Sequence, residues 1–205
     1  MSPPPKATPK RARKQKSRCG WVPPTDVVYC AYHDEEWGVP IRDDKALFAK
    51  LVLDGMQAGL SWRTILYKRD SILKEFDGLD PERLARWSEA RIEKTLKNPG
   101  VIRSRLKSTA AVKNARAFLT LQDEAGSFSD HLWGFVGGQP VQNRWATLTD
   151  VPAKTAQSEA MAKDLKARGF SFCGPVIVYA FMQAVGMVND HTTDCFRRAE
   201  VAKAR

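Results

Sequence analysis

Four side chains of the metal-ligating type lie near the two ends of this chain: Cys19 and His33 close to the start, His191 and Cys195 close to the finish. If one ion takes all four, the fold has to bring its ends together, a constraint that spans nearly every other element. His191 and Cys195 are four positions apart and on a helix would share one face. Two thiolates and two imidazoles fill a tetrahedral Zn²⁺ completely, whereas a catalytic zinc keeps one position for water, so a closed Cys2His2 set points to a structural ion. The competing reading is two unrelated buried cysteines and two satisfied histidines, and long-range spacing alone leaves it open. The local H-x3-C pair and the scarcity of histidine, with His131 the only other one, favour the ion. Cys30 and Cys173 lie in apolar surroundings that suit free thiols.

At 205 residues the chain is long enough to bury a good core as one domain or two close lobes. No signal-peptide apolar region or bilayer-length run is evident, so the expectation is a soluble, cytoplasmic protein with no membrane partner. Two cysteines assigned to metal fit a reducing compartment better than a disulfide scaffold does. The net charge is +10, but residues 1–18 carry seven lysines and arginines and no acid, which leaves +3 for the remainder. Pro3, Pro4, Pro5 and Pro9 oppose a regular helix there, and the segment has no apolar face, so it reads as a disordered basic tail. Such a tail adds non-specific attraction to nucleic acid. A solubilising extension is the alternative.

From Asp43 onward the periodicity is helical. Trp62, Ile65, Leu66, Arg69, Ile72, Leu73 and Phe76 follow i, i+3, i+4, i+7 spacing, and Asp80-Pro81-Glu82 supplies an N-cap followed by proline at the first helical position. Further helices are expected over 106–121, 128–136, 158–168 and 176–185, with loops over 19–42, 97–102, 123–127 and 137–154. The expected fold class is all-α.

Leu47, Leu51 and Asp54 are spaced i, i+4, i+7, so a helix from Asp43 would turn Asp54 along its apolar stripe. A buried carboxylate is costly unless it is paired or has a function. A helix end at the surface, or a salt bridge, would equally explain it. Trp21, Tyr29, Tyr32 and Trp37 gather in the N-terminal segment, and Trp62 follows a glycine-bounded break, Gly55 to Gly59. They form either a minicore or a cage that stacks a flat, cationic ring. A carboxylate at the edge of such a cage suits a methylated, cationic nucleobase.

The runs Arg18-Cys19-Gly20-Trp21, Ala31-Tyr32-His33-Asp34-Glu35-Glu36-Trp37-Gly38-Val39-Pro40, Gln57-Ala58-Gly59-Leu60-Ser61-Trp62 and Asn189-Asp190-His191 resemble the bacterial 3-methyladenine DNA glycosylase I family. So do Lys166-Ala167-Arg168-Gly169-Phe170 and Tyr179-Ala180-Phe181-Met182-Gln183-Ala184. The resemblance covers about Arg18 to Cys195. It implies a helix-hairpin-helix glycosylase-like globule over 19–205, with two close lobes stapled by structural zinc on Cys19, His33, His191 and Cys195. It further implies that Trp21, Tyr32, Trp37 and Trp62 bind the base and that Asp54 is the carboxylate that hydrogen-bonds it. Family members usually carry Glu there, so the shorter Asp raises a question of reach. Ala180 stands where some relatives have Ser.

The hairpin would lie around Asn98 to Arg103, leading into a helix that carries Arg105 and Lys107. Its glycine, Gly100, and the backbone N–H groups after it could hold a phosphate, with Arg103, Arg105 and Lys107 adding charge. The usual second glycine is replaced by Ile102. The implied partner is alkylated duplex DNA, bound by a monomer in the bacterial cytoplasm at the nucleoid. The implied reaction is monofunctional hydrolysis of the N-glycosidic bond after base flipping, with Leu60, beside Gly59, as the candidate wedge. No lysine is placed from sequence for a Schiff base. Rival classes are a non-catalytic lesion-binding protein and a zinc-dependent nuclease or hydrolase.

Overall fold

The computed structural model describes residues 16–203; the basic run up to residue 15 lies outside the described residues. Ser17 and Arg18, counted above with the tail, are tied to the body. Ser17 accepts from the Phe196 amide at 3.0 Å, and Arg18 is paired with Asp34 at 2.6 Å.

The segment expected to be loop from 19 to 42 contains a short helix, α1 (Val27–Ala31), and a π turn over Tyr32–Glu36. The Asp26 carboxylate caps α1 by accepting from the Tyr29 amide, a signal too local for apolar periodicity to register. The π turn matters for function. Successive residues in it serve two places, Tyr32 lining a cavity and His33 joining the cysteines.

Helix α2 (Asp44–Gln57) starts on the Asp43 side chain, which accepts from the Ala46 amide, and carries the expected stripe. Leu47, Phe48, Leu51, Val52, Leu53 and Met56 are all buried, each such side chain contributing roughly 1.5–3 kcal/mol when removed from water. Asp54 is buried among them. Helix α3 (Trp62–Glu75) begins at the Ser61 cap, and α4 (Pro81–Leu84) at Asp80, with proline at its first position. The chain continues through α5 (Glu89–Thr95), α6 (Arg105–Ala125), α7 (Phe128–Gly134), α8 (Ala156–Ala167), α9 (Pro175–Ala184) and α10 (Phe196–Val201).

Helix α9 packs on α8 and α2, while α2 also meets α3, α6 and α7, which puts α2 at the centre. Helix α6 runs four residues beyond its expected end, to Ala125, and the positive φ of Gly126 closes it. Among the described residues the strand content is one parallel pair, β1 (Val141–Gln142) with β2 (Val188–Asn189). That pair fixes the segment just before His191. No described helix is long and apolar enough to cross a membrane.

Candidate active site and metal-type cluster

The chain ends do meet. The ligand atoms of Cys19, His33, His191 and Cys195 lie within 4.8 Å of one another, and all four residues are buried. Cys19 Sγ is 3.4 Å from His191 Nδ1, and Cys195 Sγ is 3.4 Å from His33 Nε2 and 3.5 Å from His191 Nδ1. The far nitrogens are engaged elsewhere: His33 Nδ1 lies 2.8 Å from Asp34 Oδ1, and His191 Nε2 lies 3.1 Å from the Trp37 carbonyl. If those far nitrogens carry the protons, each ring turns a lone pair towards the sulfurs. The Cys195 thiol is held well below the usual range by its hydrogen bond with Cys19, against burial, with help from His191 and His33. Cys19 is pushed up by that same contact and by burial, so Cys195 is the readier thiolate. This donor set suits a closed metal site.

Beside the cluster is a cavity of about 410 Å³. It is lined by all five aromatics singled out from sequence, Trp21, Tyr29, Tyr32, Trp37 and Trp62, and by Asp54. Trp21 and Trp37 form part of a shared wall. They meet edge to face at 5.0 Å, with Trp37 4.6 Å from the His191 ring and Trp21 5.3 Å from His33. Tyr32 and Trp62 touch at 5.2 Å with their planes tilted by 42°, giving a second aromatic surface.

Asp54 is 2 % exposed. Of the readings left open by its spacing, the helix end at the surface is not met, while the inward orientation and the salt bridge occur together, the partner being Lys50 one helical turn earlier. Only Oδ1 is used; Oδ2 is buried without a hydrogen-bond partner, as is the Trp62 indole N–H. Burial pushes the Asp54 carboxyl above the usual range, opposed by Lys50, and pushes the Lys50 ammonium below its own, opposed by Asp54. The Lys50 ammonium also sits 4.1 Å from the Trp62 ring centre.

Lys50, Gln57, Tyr179, Gln183 and Asp190 were missed in the sequence reading, yet all line the cavity. For Lys50 the signal was available, because a residue four before Asp54 shares its helix face. Asp190 differs from Asp54 in being fully engaged. It accepts from Asn143, Trp145, Tyr179 and Gln183 at 2.6–2.8 Å, which makes it an anchor for the loop carrying His191.

The candidate DNA-contacting residues are spread over two turns. Gly59 has φ +73° with open space around it, and Leu60 beside it is 41 % exposed. Between α5 and α6, a Cβ on Gly100 would crowd the side chains of Ser71 and Asn98, so that turn presses against α3. Arg103 and Arg105 are exposed, Arg105 being paired with Glu89 and Glu93. Lys107 is committed elsewhere. Its ammonium donates to the Met56 and Ala58 carbonyls at 2.8 and 2.6 Å, capping α2 and joining the two turns.

A helical body with a buried, half-satisfied carboxylate in an aromatic cavity has the chemistry to bind a flat ring. The comparisons agree: the methyladenine glycosylase family profile matches residues 21–198, and the chain belongs to that family. It is 46 % identical to the DNA-3-methyladenine glycosylase 1 of Escherichia coli over 87 % of this chain and 95 % of that one. A crystal structure of 3-methyladenine DNA glycosylase I superposes with a TM-score of 0.86 at 49 % identity, covering 88 % of this chain and 98 % of that one. A Staphylococcus aureus enzyme solved to explain 3-methyladenine recognition gives 0.83 at 37 % identity, covering 85 % and 93 %.

Proposed function

We propose that this protein is a base-excision repair glycosylase that hydrolyses the N-glycosidic bond of 3-methyladenine in alkylated duplex DNA. The observation that carries the reading is the free Asp54 oxygen in an aromatic cavity, within a chain of the methyladenine glycosylase family.

Methylation at N3 places positive charge on adenine and weakens its bond to the sugar, so the base leaves with modest assistance. Selection rests on extrusion and binding. A damaged base unstacks more easily than a normal one, and Leu60 on the Gly59 turn is suited to fill the gap it leaves. Trp62 and Tyr32 offer faces for stacking, Trp21 and Trp37 close the cavity, and Asp54 Oδ2 accepts a hydrogen bond from the base edge. Its negative charge favours the cationic base and the oxocarbenium-like sugar that follows.

The turn from Asn98 to Arg103, between α5 and α6, is assigned as the helix-hairpin-helix; its Gly100 and Val101 amides are donated to Asn98 within the turn, so phosphate is left to the backbone that follows them and to Arg103 and Arg105 nearby. Lys107, in the first turn of α6, is bonded instead to the Met56 and Ala58 carbonyls at the end of α2. The Cys19, His33, His191 and Cys195 cluster is assigned to Zn²⁺. Sulfur–nitrogen edges of a tetrahedral zinc site are about 3.5 Å from ordinary bond lengths, close to the 3.4–3.5 Å found here. With four protein donors the ion's contribution is to staple the ends of the domain over 19–205. Cleavage is hydrolytic, leaving an abasic site, and the working unit is a monomer in the bacterial cytoplasm. Lys50 is the amine lining the cavity; it is bonded to Asp54, which opposes but does not outweigh the lowering of its pKa by burial.

The test is chromatography of free bases released from dimethyl-sulfate-treated duplex DNA. Release of 3-methyladenine, with 7-methylguanine left in place, is the expected result. A folded, zinc-loaded sample that retains alkylated DNA without releasing base would make this a lesion-binding protein instead.

A further inference from the structure

The two turns assigned to DNA, residues 57–61 between α2 and α3 and residues 98–103 between α5 and α6, are far apart in sequence but braced on each other. Lys68 of α3 donates to the Pro99 carbonyl at 2.7 Å, and Gly100 presses against Ser71 of the same helix. Lys107, in the first turn of α6, supplies a second brace. Its ammonium donates to the Met56 carbonyl at 2.8 Å and to the Ala58 carbonyl at 2.6 Å. Among the described residues it is the one side chain from another element that is hydrogen-bonded to residues 56–60.

A lysine is a costly way to finish a helix from outside. Burial lowers the pKa of this ammonium and no acid offsets it, whereas water or a left-handed cap would satisfy the same carbonyls. What Lys107 adds is a link from α6 to the turn that carries Leu60. Gly59 has open space where a side chain would lie, and the Leu60 amide bonds inside the turn, to the Gln57 carbonyl at 2.6 Å. The placement of Leu60 relative to the hairpin therefore leans on the Ala58 carbonyl and Lys107. That placement has a narrow tolerance. Successive bases of a strand are about 3.4 Å apart, so a wedge whose register is set by gripped phosphates misses its step when it shifts by about half of that.

We propose that Lys107 is a positioning residue that sets Leu60 against the hairpin, so that gripping the strand backbone and inserting the wedge become one step. It acts through Leu60 and touches neither base nor phosphate. This rests on the glycosylase reading and deepens it.

The experiment is a double-mutant cycle of Lys107→Met with Leu60→Ala. It reads the single-turnover rate of 3-methyladenine release from dimethyl-sulfate-treated duplex and from the same DNA as single strands, with thermal melting as the folding control. Each single variant should slow release from duplex about tenfold, within the range for residues that act as a pair, and the double variant should be no slower than Leu60→Ala. Release from single strands, where no partner strand holds the base in place, should fall far less. Losses that multiply in the double variant, or an equal loss on single strands, would overturn the proposal by making Lys107 general support for the fold. A log–log salt slope reduced by about 1 in Lys107→Met would overturn it by making Lys107 a phosphate ligand. Undiminished duplex release by either single variant would do the same while leaving the glycosylase reading intact. If Lys107→Met unfolds, Lys107→Gln, too short to hold both carbonyls, takes its place in the cycle. No release of 3-methyladenine by folded wild type would remove the glycosylase reading and this inference with it.

Discussion

The metal-type cluster and the aromatic cavity stand back to back, sharing Trp21 and Trp37 as a wall, yet they treat buried polarity in opposite ways. In the cluster every donor atom has a partner: the sulfurs face ring nitrogens, and the far nitrogens are held by Asp34 and the Trp37 carbonyl. In the cavity, Asp54 Oδ2 and the Trp62 indole N–H are buried without one. An unpaired buried polar atom costs roughly 1–3 kcal/mol, so it persists where a ligand relieves it. Saturation marks the group that holds the fold, and incompleteness marks the group that binds. Asp190 and Asp54 repeat the contrast within one cavity, four hydrogen-bond donors against a single ion-pair partner.

That contrast fails first if Asp54 is structural. Asp54→Asn should reduce the kcat/KM for 3-methyladenine release by about 10²–10³-fold, the usual loss for a group that stabilises developing charge, with melting little changed. Because burial raises the Asp54 pKa and the ionised form is the active one, wild-type activity should climb with pH through a limb lying above the ordinary carboxylate range. In Asp54→Asn that limb should vanish from a single-turnover pH profile. A large fall in melting temperature with activity intact would reverse the assignment.

Cys195→Ala probes the other side. It should lower the melting temperature by on the order of 10 °C, about 3 kcal/mol for a chain of this size, while the folded fraction keeps most of its base-release rate. Unchanged melting with activity lost would move the cluster into the chemistry.

Trp62→Ala removes one stacking face and should cost about 1–3 kcal/mol of base binding, seen as a raised KM or a weaker inhibition constant for free 3-methyladenine. A melting shift without a binding change would make the aromatics a minicore. The smallest effect belongs to Arg103→Ala, which should weaken DNA binding a few-fold irrespective of sequence and reduce the log–log salt slope by about 1. An unaltered slope would remove Arg103 from the phosphate contacts.

The sequence displayed much of this. Helical periodicity located α3, α6, α7, α8 and α9 to within a few residues, because an amphipathic stripe repeats over several turns. It did not reveal α1 or the π turn, whose few residues complete no such repeat. The inward-facing Asp54 was legible as a polar residue on an apolar stripe. Lys50 was not singled out, although it lies four residues earlier, since a lysine stem can cross apolar surface and still carry its charge to water. Here Trp62 and Asp54 retain it, leaving the side chain 13 % exposed. Lys107 was read as a phosphate ligand because nothing local ties it to residues 56 and 58, about fifty positions back.

The sequence by itself determined the ligand types at the two ends, the helical stripes and the aromatic and acidic complement of the cavity. These are properties of residue chemistry and short-range spacing. Only the tertiary structure decided which valences stay open: that His33 and His191 spend their far nitrogens, that Asp190 is saturated and Asp54 is not, and that Lys50 turns to Asp54 and the Trp62 face while Lys107 caps a helix. Hydrogen-bond satisfaction depends on which distant groups come within about 3 Å, a distance that chain folding sets and local sequence does not encode.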